Sequence, residues 1–163
     1  MVILIMGVSG SGKTTVGSAL ARTVGGQFHD ADDYHSAANI AKMRGGEPLT
    51  DEDRAAWLRE LRSRIDAWLL ENGTVVLACS ALTERIRGVL GADRDGVHLV
   101  YLNGSKELIG ARMRNRDHFM PAALLDSQFA LLEPPERALH LDVIQTPEEL
   151  VTSIVRYVRQ SPP

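Results

Sequence analysis

Gly7-Val8-Ser9-Gly10-Ser11-Gly12-Lys13-Thr14 is the stretch on which the fold turns. It fits the pattern G-x-x-x-x-G-K-[ST] at every fixed position. Before it, Val2 to Met6 is an apolar, largely β-branched run that reads as a buried parallel strand. After it, Val16, Leu20 and Val24 recur on one helical face. Strand, glycine-rich loop and helix in that order predict an inward-pointing set of backbone N–H groups that holds an anion. The positive end of the helix dipole reinforces it. The expected phosphate-binding set is Gly7, Ser9, Gly10, Ser11, Gly12, Lys13, Thr14 and Thr15. Lys13 should reach the β- and γ-phosphates of ATP and the Thr14 hydroxyl should ligate Mg²⁺. The alternative is a tight strand-to-helix turn with a surface lysine, and the agreement of motif with context speaks against it.

The bulk numbers bound what such a loop can serve. A chain of 163 residues with 44% hydrophobic content suits one domain with its own core. A net charge of −3 argues against nucleic acid or an anionic membrane as the main partner, while leaving room for a small anion held by local arginines and lysines. The one cysteine, Cys79, cannot form an intrachain disulfide, which fits a reducing compartment. The N-terminal apolar run is too short for a signal segment and lacks a basic flank. No stretch approaches transmembrane length. A cytoplasmic protein is expected.

Outward from the loop, Gly25-Gly26 stop the first helix, and Gln27 to Asp30 read as a second strand. That strand runs into Asp30-Ala31-Asp32-Asp33-Tyr34-His35, three carboxylates within four residues. The carboxyl ends of parallel strands face the ligand crevice. Asp30 and Asp32 are therefore expected to face Mg²⁺–ATP and a substrate hydroxyl rather than to form a merely solvated acidic turn. His35 is read either as a substrate contact or as a hydrogen-bonded structural residue. A helix is expected from Ser36 to Met43, carrying Lys42. Thr50-Asp51-Glu52-Asp53 is a capping signal for a long helix with Trp57, Leu58, Leu61, Ile65, Trp68 and Leu69 on one stripe, which assigns both tryptophans to the core. Arg54 sits in that helix's first turn, where a cation opposes the dipole. It is read as a grip on an anionic substrate or as a surface arginine offset by Asp51 and Asp53.

Val75 to Cys79 read as a third strand ending at Ser80, a candidate substrate contact, with Cys79 expected to pack rather than react. Thr83 to Leu90 should be a short helix bearing Arg87, and Val97 to Leu102 a fourth strand. The helix after Ser105 ends in Arg112, Arg114 and Arg116, followed by His118-Phe119-Met120-Pro121. Arg112 and Arg116 lie four apart on one face and can clamp phosphates together. Residues about 116–121 are read as a short mobile lid. No histidine or cysteine lies at ligand spacing from His118, so it is not expected to bind metal. Ala122 to Leu132 should be helical with Leu124, Leu125, Phe129 and Leu132 apolar, and Leu139 to Ile144 a fifth strand at or near an edge. Thr146-Pro147-Glu148-Glu149 opens the last helix, with Leu150, Val151, Ile154, Val155 and Val158 inward. The fold class is α/β: a three-layer phosphate-loop kinase fold, with a mostly parallel five-stranded sheet, helices on both faces and a short lid.

The chain lacks an Asn-Lys-x-Asp base reader, and its Asp93-Arg94-Asp95-Gly96 precedes a strand instead of following one, so a guanine-nucleotide switch is not expected. A motor or helicase should be longer and carry an apolar strand ending in Asp-Glu. A small kinase remains. The blocks Asp30-Ala-Asp-Asp-Tyr-His35, Gly46-Glu-Pro-Leu-Thr-Asp-Glu-Asp-Arg-Ala-Ala-Trp-Leu58, Cys79-Ser-Ala-Leu82, His118-Phe-Met-Pro-Ala-Ala-Leu-Leu-Asp-Ser-Gln-Phe129 and Leu132-Glu-Pro-Pro135 resemble the small bacterial-type gluconokinases over nearly the whole chain. The resemblance implies Mg²⁺–ATP-dependent phosphorylation of the 6-hydroxyl of D-gluconate, and a homodimer. Two departures stand out. The family's Lys and Tyr-Arg-Asp positions hold Thr83 and Ile86-Arg87-Gly88, and a glycine usual before His118-Phe119 is missing.

The expected roles follow. Lys13 and the loop amides hold the γ-phosphate, Arg116 with Arg112 closes over it, Asp32 takes the hydroxyl proton, and Asp30 lies in the Mg²⁺ water shell. Lys42, Arg54 and Arg87 are candidates for the substrate carboxylate, with His35, Ser80 and His118 as further contacts. Rival expectations are a kinase for shikimate, another sugar acid or a nucleoside monophosphate, and a non-catalytic ATP-binding regulator.

Overall fold

The computed structural model describes residues 1–45, 49–114 and 122–160. In chain order it contains β1 (Val2–Met6), α1 (Lys13–Val24), β2 (Gln27–Asp30), a 3-10 turn (Ala31–Tyr34), α2 (Ala37–Arg44), α3 (Asp51–Leu70), β3 (Val75–Ala78), α4 (Glu84–Leu90), β4 (Val97–Asn103), α5 (Lys106–Arg114), α6 (Ala122–Leu131), β5 (Leu139–Asp142) and α7 (Pro147–Gln160). The strands form one sheet in the order β2-β3-β1-β4-β5. Every pairing is parallel, with Ile5 opposite Ala78 on one side and Val100 on the other.

β1 is central and buried on both faces, which is why its sequence is an unbroken apolar run. Ile3 and Ile5 join a core with Val16 and Leu20 of α1 and Leu150, Val151 and Ile154 of α7. Val2, Leu4 and Met6 join a second core with Leu61, Ile65 and Trp68 of α3 and Leu90 of α4. The alternation of side chains along one strand thus makes the three layers. Each fully buried aliphatic chain contributes about 1.5–3 kcal/mol of transfer free energy.

The helix starts follow their local chemistry. Thr50 and Asp53 form a reciprocal capping box at α3. Thr146 and Glu149 exchange the same pair of bonds ahead of α7, at 2.9 and 3.3 Å. Three expectations need correction. The fifth strand stops at Asp142 rather than Ile144, because the Asp142 carboxylate accepts the Ile144 N–H at 2.9 Å and turns the chain. The helix expected to run to Leu132 stops at Leu131; of its apolar residues Leu125 and Phe129 pack into the core, whereas Leu124 is exposed. The third strand ends at Ala78, although the Cys79 N–H still bonds the Ile5 carbonyl at 3.0 Å. Cys79 is buried, and burial pushes its thiol up to about 12, so it packs and does not react. The expected lid, about 116–121, lies outside the described residues.

Candidate active site

The site forms where the chain leaves the carboxyl ends of β1, β2 and β3. Gly7 ends β1 with φ +153°. A Cβ there would lie 2.7 Å from Ser11 Oγ and 2.8 Å from the Leu102 carbonyl oxygen, so only glycine lets the loop fold back over the sheet end. The Gly7 N–H donates to the Ser80 carbonyl at 3.3 Å, tying the loop to the end of β3. Around the first turn of α1, Gly10, Gly12, Lys13, Thr14 and Thr15 line a cleft of about 80 Å³. Lys13 Nζ donates to the carbonyls of Gly7 and Val8 at 3.0 and 3.1 Å. Burial lowers its pKa, while Cys79, Asp32 and Asp30 oppose that shift. The Ser11 hydroxyl is buried without a partner among the described residues.

The acidic turn is joined directly to this cup. Thr14 Oγ1 donates to Asp30 Oδ2 at 3.1 Å, and Asp30 Oδ1 accepts the Asp32 N–H at 3.1 Å. Asp32 stays exposed to solvent. Protein atoms around its carboxyl nevertheless displace water, and that desolvation, with Asp30 second, raises its pKa; His35 and Lys13 oppose. His35 stacks on Trp57 with ring centroids 4.6 Å apart and planes 13° off parallel. Trp57 Nε1 donates to the Ala31 carbonyl at 2.8 Å, so the indole braces the acidic turn from below. The His35 Nδ1 atom is buried and has no partner among the described residues, in contrast to the hydrogen-bonded role considered from sequence. Trp68 does lie in the core, but Trp57 is only half-buried and serves both the core and this turn.

The expected substrate cations are differently placed. Lys42 pairs with Asp53 at 2.7 Å. Arg54 is exposed and pairs with Asp51 at 2.9 Å, the surface reading of that residue. Arg87 is buried, and its guanidinium donates to the Ala81 and Leu82 carbonyls at 3.1 and 3.2 Å, closing the turn after β3 instead of facing the cup. Arg112 donates to the Val143 carbonyl at 2.6 Å, across to the turn after β5. Ser80 is half-buried, with its carbonyl on Gly7. Arg116 and His118 lie outside the described residues. Sequence reasoning missed two contacts at the site: Trp57 on His35, and Gln128 of α6 on Ser9. The helical spacing of Trp57 with leucines concealed the first. The second joins residues 119 apart.

A larger cavity of about 760 Å³ lies between α4, residues 133–138 and Tyr157 of α7. Size alone favours it. None of the phosphate-loop residues lines it, whereas Lys13 and Thr14 line the smaller cup and Thr14 is bonded to Asp30, so the cup is the candidate site. The cup's donor set suits Mg²⁺: a threonine hydroxyl beside a carboxylate offers hard oxygens and leaves the remaining positions to water and phosphate.

A parallel sheet with a phosphate cup and an acidic strand end defines a small phosphate-loop kinase. A family model described as Shikimate kinase matches residues 9–154. A gluconokinase from Arabidopsis thaliana is 43% identical, the match covering 98% of this chain and 93% of the relative. Among solved structures, a sugar kinase from Janibacter sp. HTCC2649 superposes with TM-score 0.85 at 42% identity, covering 99% of this chain and 95% of the other. A gluconokinase from Sinorhizobium meliloti 1021 gives 0.83 at 39% identity, covering 97% and 91%. The chain belongs to the gluconokinase family.

Proposed function

We propose that this protein transfers the γ-phosphoryl group of ATP to the 6-hydroxyl of D-gluconate, releasing 6-phospho-D-gluconate and ADP. The observation that carries the reading is the direct tie between cup and acidic turn, Thr14 Oγ1 to Asp30 Oδ2 at 3.1 Å. Asp30 in turn accepts the Asp32 N–H, so the tie supports reading Asp32 as the proton acceptor beside the cup, in a chain that is 43% identical to a gluconokinase.

Phosphoryl transfer is mainly positioning and charge neutralisation. The amides of the loop cradle the phosphates, with Ser9, Gly10, Ser11, Gly12, Thr14 and Thr15 forming the walls. Lys13 leaves the Gly7 and Val8 carbonyls to reach the γ-phosphate. Asp32 orients the acceptor hydroxyl and takes its proton late, a role that its raised pKa suits. Thr14, and Asp30 through water, would hold Mg²⁺, which when bound neutralises charge across the β- and γ-phosphates. Arg116 is assigned to the developing charge on the bridging oxygen. Arg112, anchored on Val143, is assigned to the nucleotide side. His35, Ser80 and His118 are assigned to the polyol. Of the candidate carboxylate contacts, Lys42 is drawn to Asp53, Arg54 to Asp51 and Arg87 to backbone carbonyls, so gripping the substrate requires an exchange of partner. The chain is proposed to act as one kinase domain with a lid near 116–121, as a cytoplasmic homodimer; no helix among the described residues is long and apolar enough to cross a membrane.

A coupled ADP-release assay over a panel of acceptors tests this. Release with D-gluconate, lost on chelation of Mg²⁺, is the expected result. Release with shikimate or a nucleoside monophosphate in place of gluconate would overturn the substrate, and tight ATP binding with no acceptor-dependent release would overturn the enzyme.

A further inference from the structure

Two helices that are distant in sequence from the phosphate loop grip consecutive residues of it. From α6, Gln128 makes a two-point contact with Ser9: its Oε1 accepts the Ser9 N–H at 2.6 Å, and its Nε2 donates to Ser9 Oγ at 2.9 Å. From α5, Met113 lies so close over Gly10 that a Cβ there would stand 2.5 Å from its Cγ and 2.6 Å from its Sδ. The two helices are tied to each other by Lys106 and Asp126 at 2.7 Å. Gln128 is half-buried at this contact. A primary amide is the group that offers an acceptor and a donor side by side, matching the N–H and hydroxyl of one serine.

The loop needs such a brace. Gly7 and Gly10 both have positive φ, and glycine-rich backbone has many conformations to lose. A cup whose amides must converge on phosphate works best when that entropy is removed before the ligand arrives. The contacts within the loop fix its inner wall, Lys13 to Gly7 and Val8, and Ser11 N–H to the Val8 carbonyl. Its outer arm at Ser9 is held from outside by Gln128.

We propose that Gln128 is a positioning residue for phosphoryl transfer, acting through Ser9 to set the outer arm of the nucleotide cup. The inference rests on ATP occupying that cup, as in the function proposed above. The clamp takes up the Ser9 N–H and one acceptor site of its hydroxyl, so this serine shapes the cup while its hydroxyl proton stays free to donate.

The test measures ATP affinity directly by titration calorimetry on the full chain, so that it does not depend on the acceptor. ATP binding to the parent protein reports on the cup itself, and the variants report on the clamp. Gln128→Leu removes both bonds and should weaken ATP about tenfold. Ser9→Ala removes one and should weaken it about threefold. The double variant should be no worse than Gln128→Leu alone, because both act through one contact. In turnover, the KM for ATP should rise while the KM for gluconate stays within about twofold, a split that general loosening of the fold would not produce. Gln128→Glu guards against a misfolded leucine variant. Its carboxylate can still accept from the Ser9 N–H and hydroxyl, but it adds a negative charge beside the triphosphate. It should unfold at the parent's temperature yet bind ATP about tenfold more weakly. Additive losses in the double variant, parallel rises in both KM values, or unchanged ATP affinity in Gln128→Glu would each overturn the assignment.

Discussion

The nucleotide side and the acceptor side of this site are built in different ways. The nucleotide cup comes from one contiguous segment, residues 7–15, whose strand, glycine turn and helix are dictated by neighbours in sequence. The proposed acceptor side draws on the turn after β2, the start of α3, the end of β3 and α2, and its expected cations are already engaged by other groups. Lys42 is on Asp53, Arg54 on Asp51 and Arg87 on two backbone carbonyls. A loop motif carries its geometry with it; a long cationic side chain carries only a charge, and the fold decides what that charge meets.

The comparison breaks first at its strongest point. Lys13→Ala should abolish turnover, a loss beyond about 10³-fold in kcat, measured with saturating substrates. Arg116→Ala should cost roughly 10³-fold if it supplies charge to the bridging oxygen, and a loss under about tenfold would demote it to surface. Asp32→Asn should lower kcat by about 10²–10⁴-fold with ATP affinity nearly unchanged, which separates the two sides cleanly. The same carboxyl sets a pH signature. Its pKa lies above the ordinary aspartate value, so the acid limb of kcat/KM should fall at a higher pH than an unperturbed aspartate would give, and Asp32→Asn should erase that limb.

Smaller effects sharpen the acceptor side. Arg54→Ala should change the KM for gluconate by less than about threefold, because its exposed pair with Asp51 is a surface ion pair. The smallest effect is on stability. Asp53, held by Lys42 and by Thr50, has its carboxyl pulled from 3.8 to about 2. A depressed pKa contributes stability above the unfolded value, near 4, which disappears as pH falls through about 2. Thermal unfolding followed from pH 5 to pH 2 should show this decline, and Asp53→Asn should make it shallower, the rest belonging to Asp51 and Asp66, which are also held below the usual carboxylate range by their arginine partners.

Much of the fold was legible because its signals are local. The unbroken apolar run of β1, the caps at Thr50 and Thr146, and the inward faces of α1 and α7 all stand in the structure as their spacing implied. What escaped depends on contacts across the chain. The end of β5 is decided by one aspartate side chain turning back on Ile144. Trp57 sits in a stripe shared with leucines, and only the turn at Ala31–Tyr34 folding over it reveals its second face. Gln128 was visible as part of a Ser-Gln-Phe block, but nothing near it in sequence points to Ser9. In the candidate site, the loop and the acidic strand end were legible as a pair because both follow parallel strands, whereas the partners of Lys42, Arg87 and Arg112 were not.

The central claim is that the cup and the acidic turn form one site for transfer to a primary hydroxyl. The most direct test is phosphorus–proton correlation NMR on the product formed from D-gluconate and ATP. The account predicts a single new phosphomonoester whose phosphorus couples to the C6 protons. An ester at another carbon, or ADP accumulating beside inorganic phosphate with no ester at all, would contradict it.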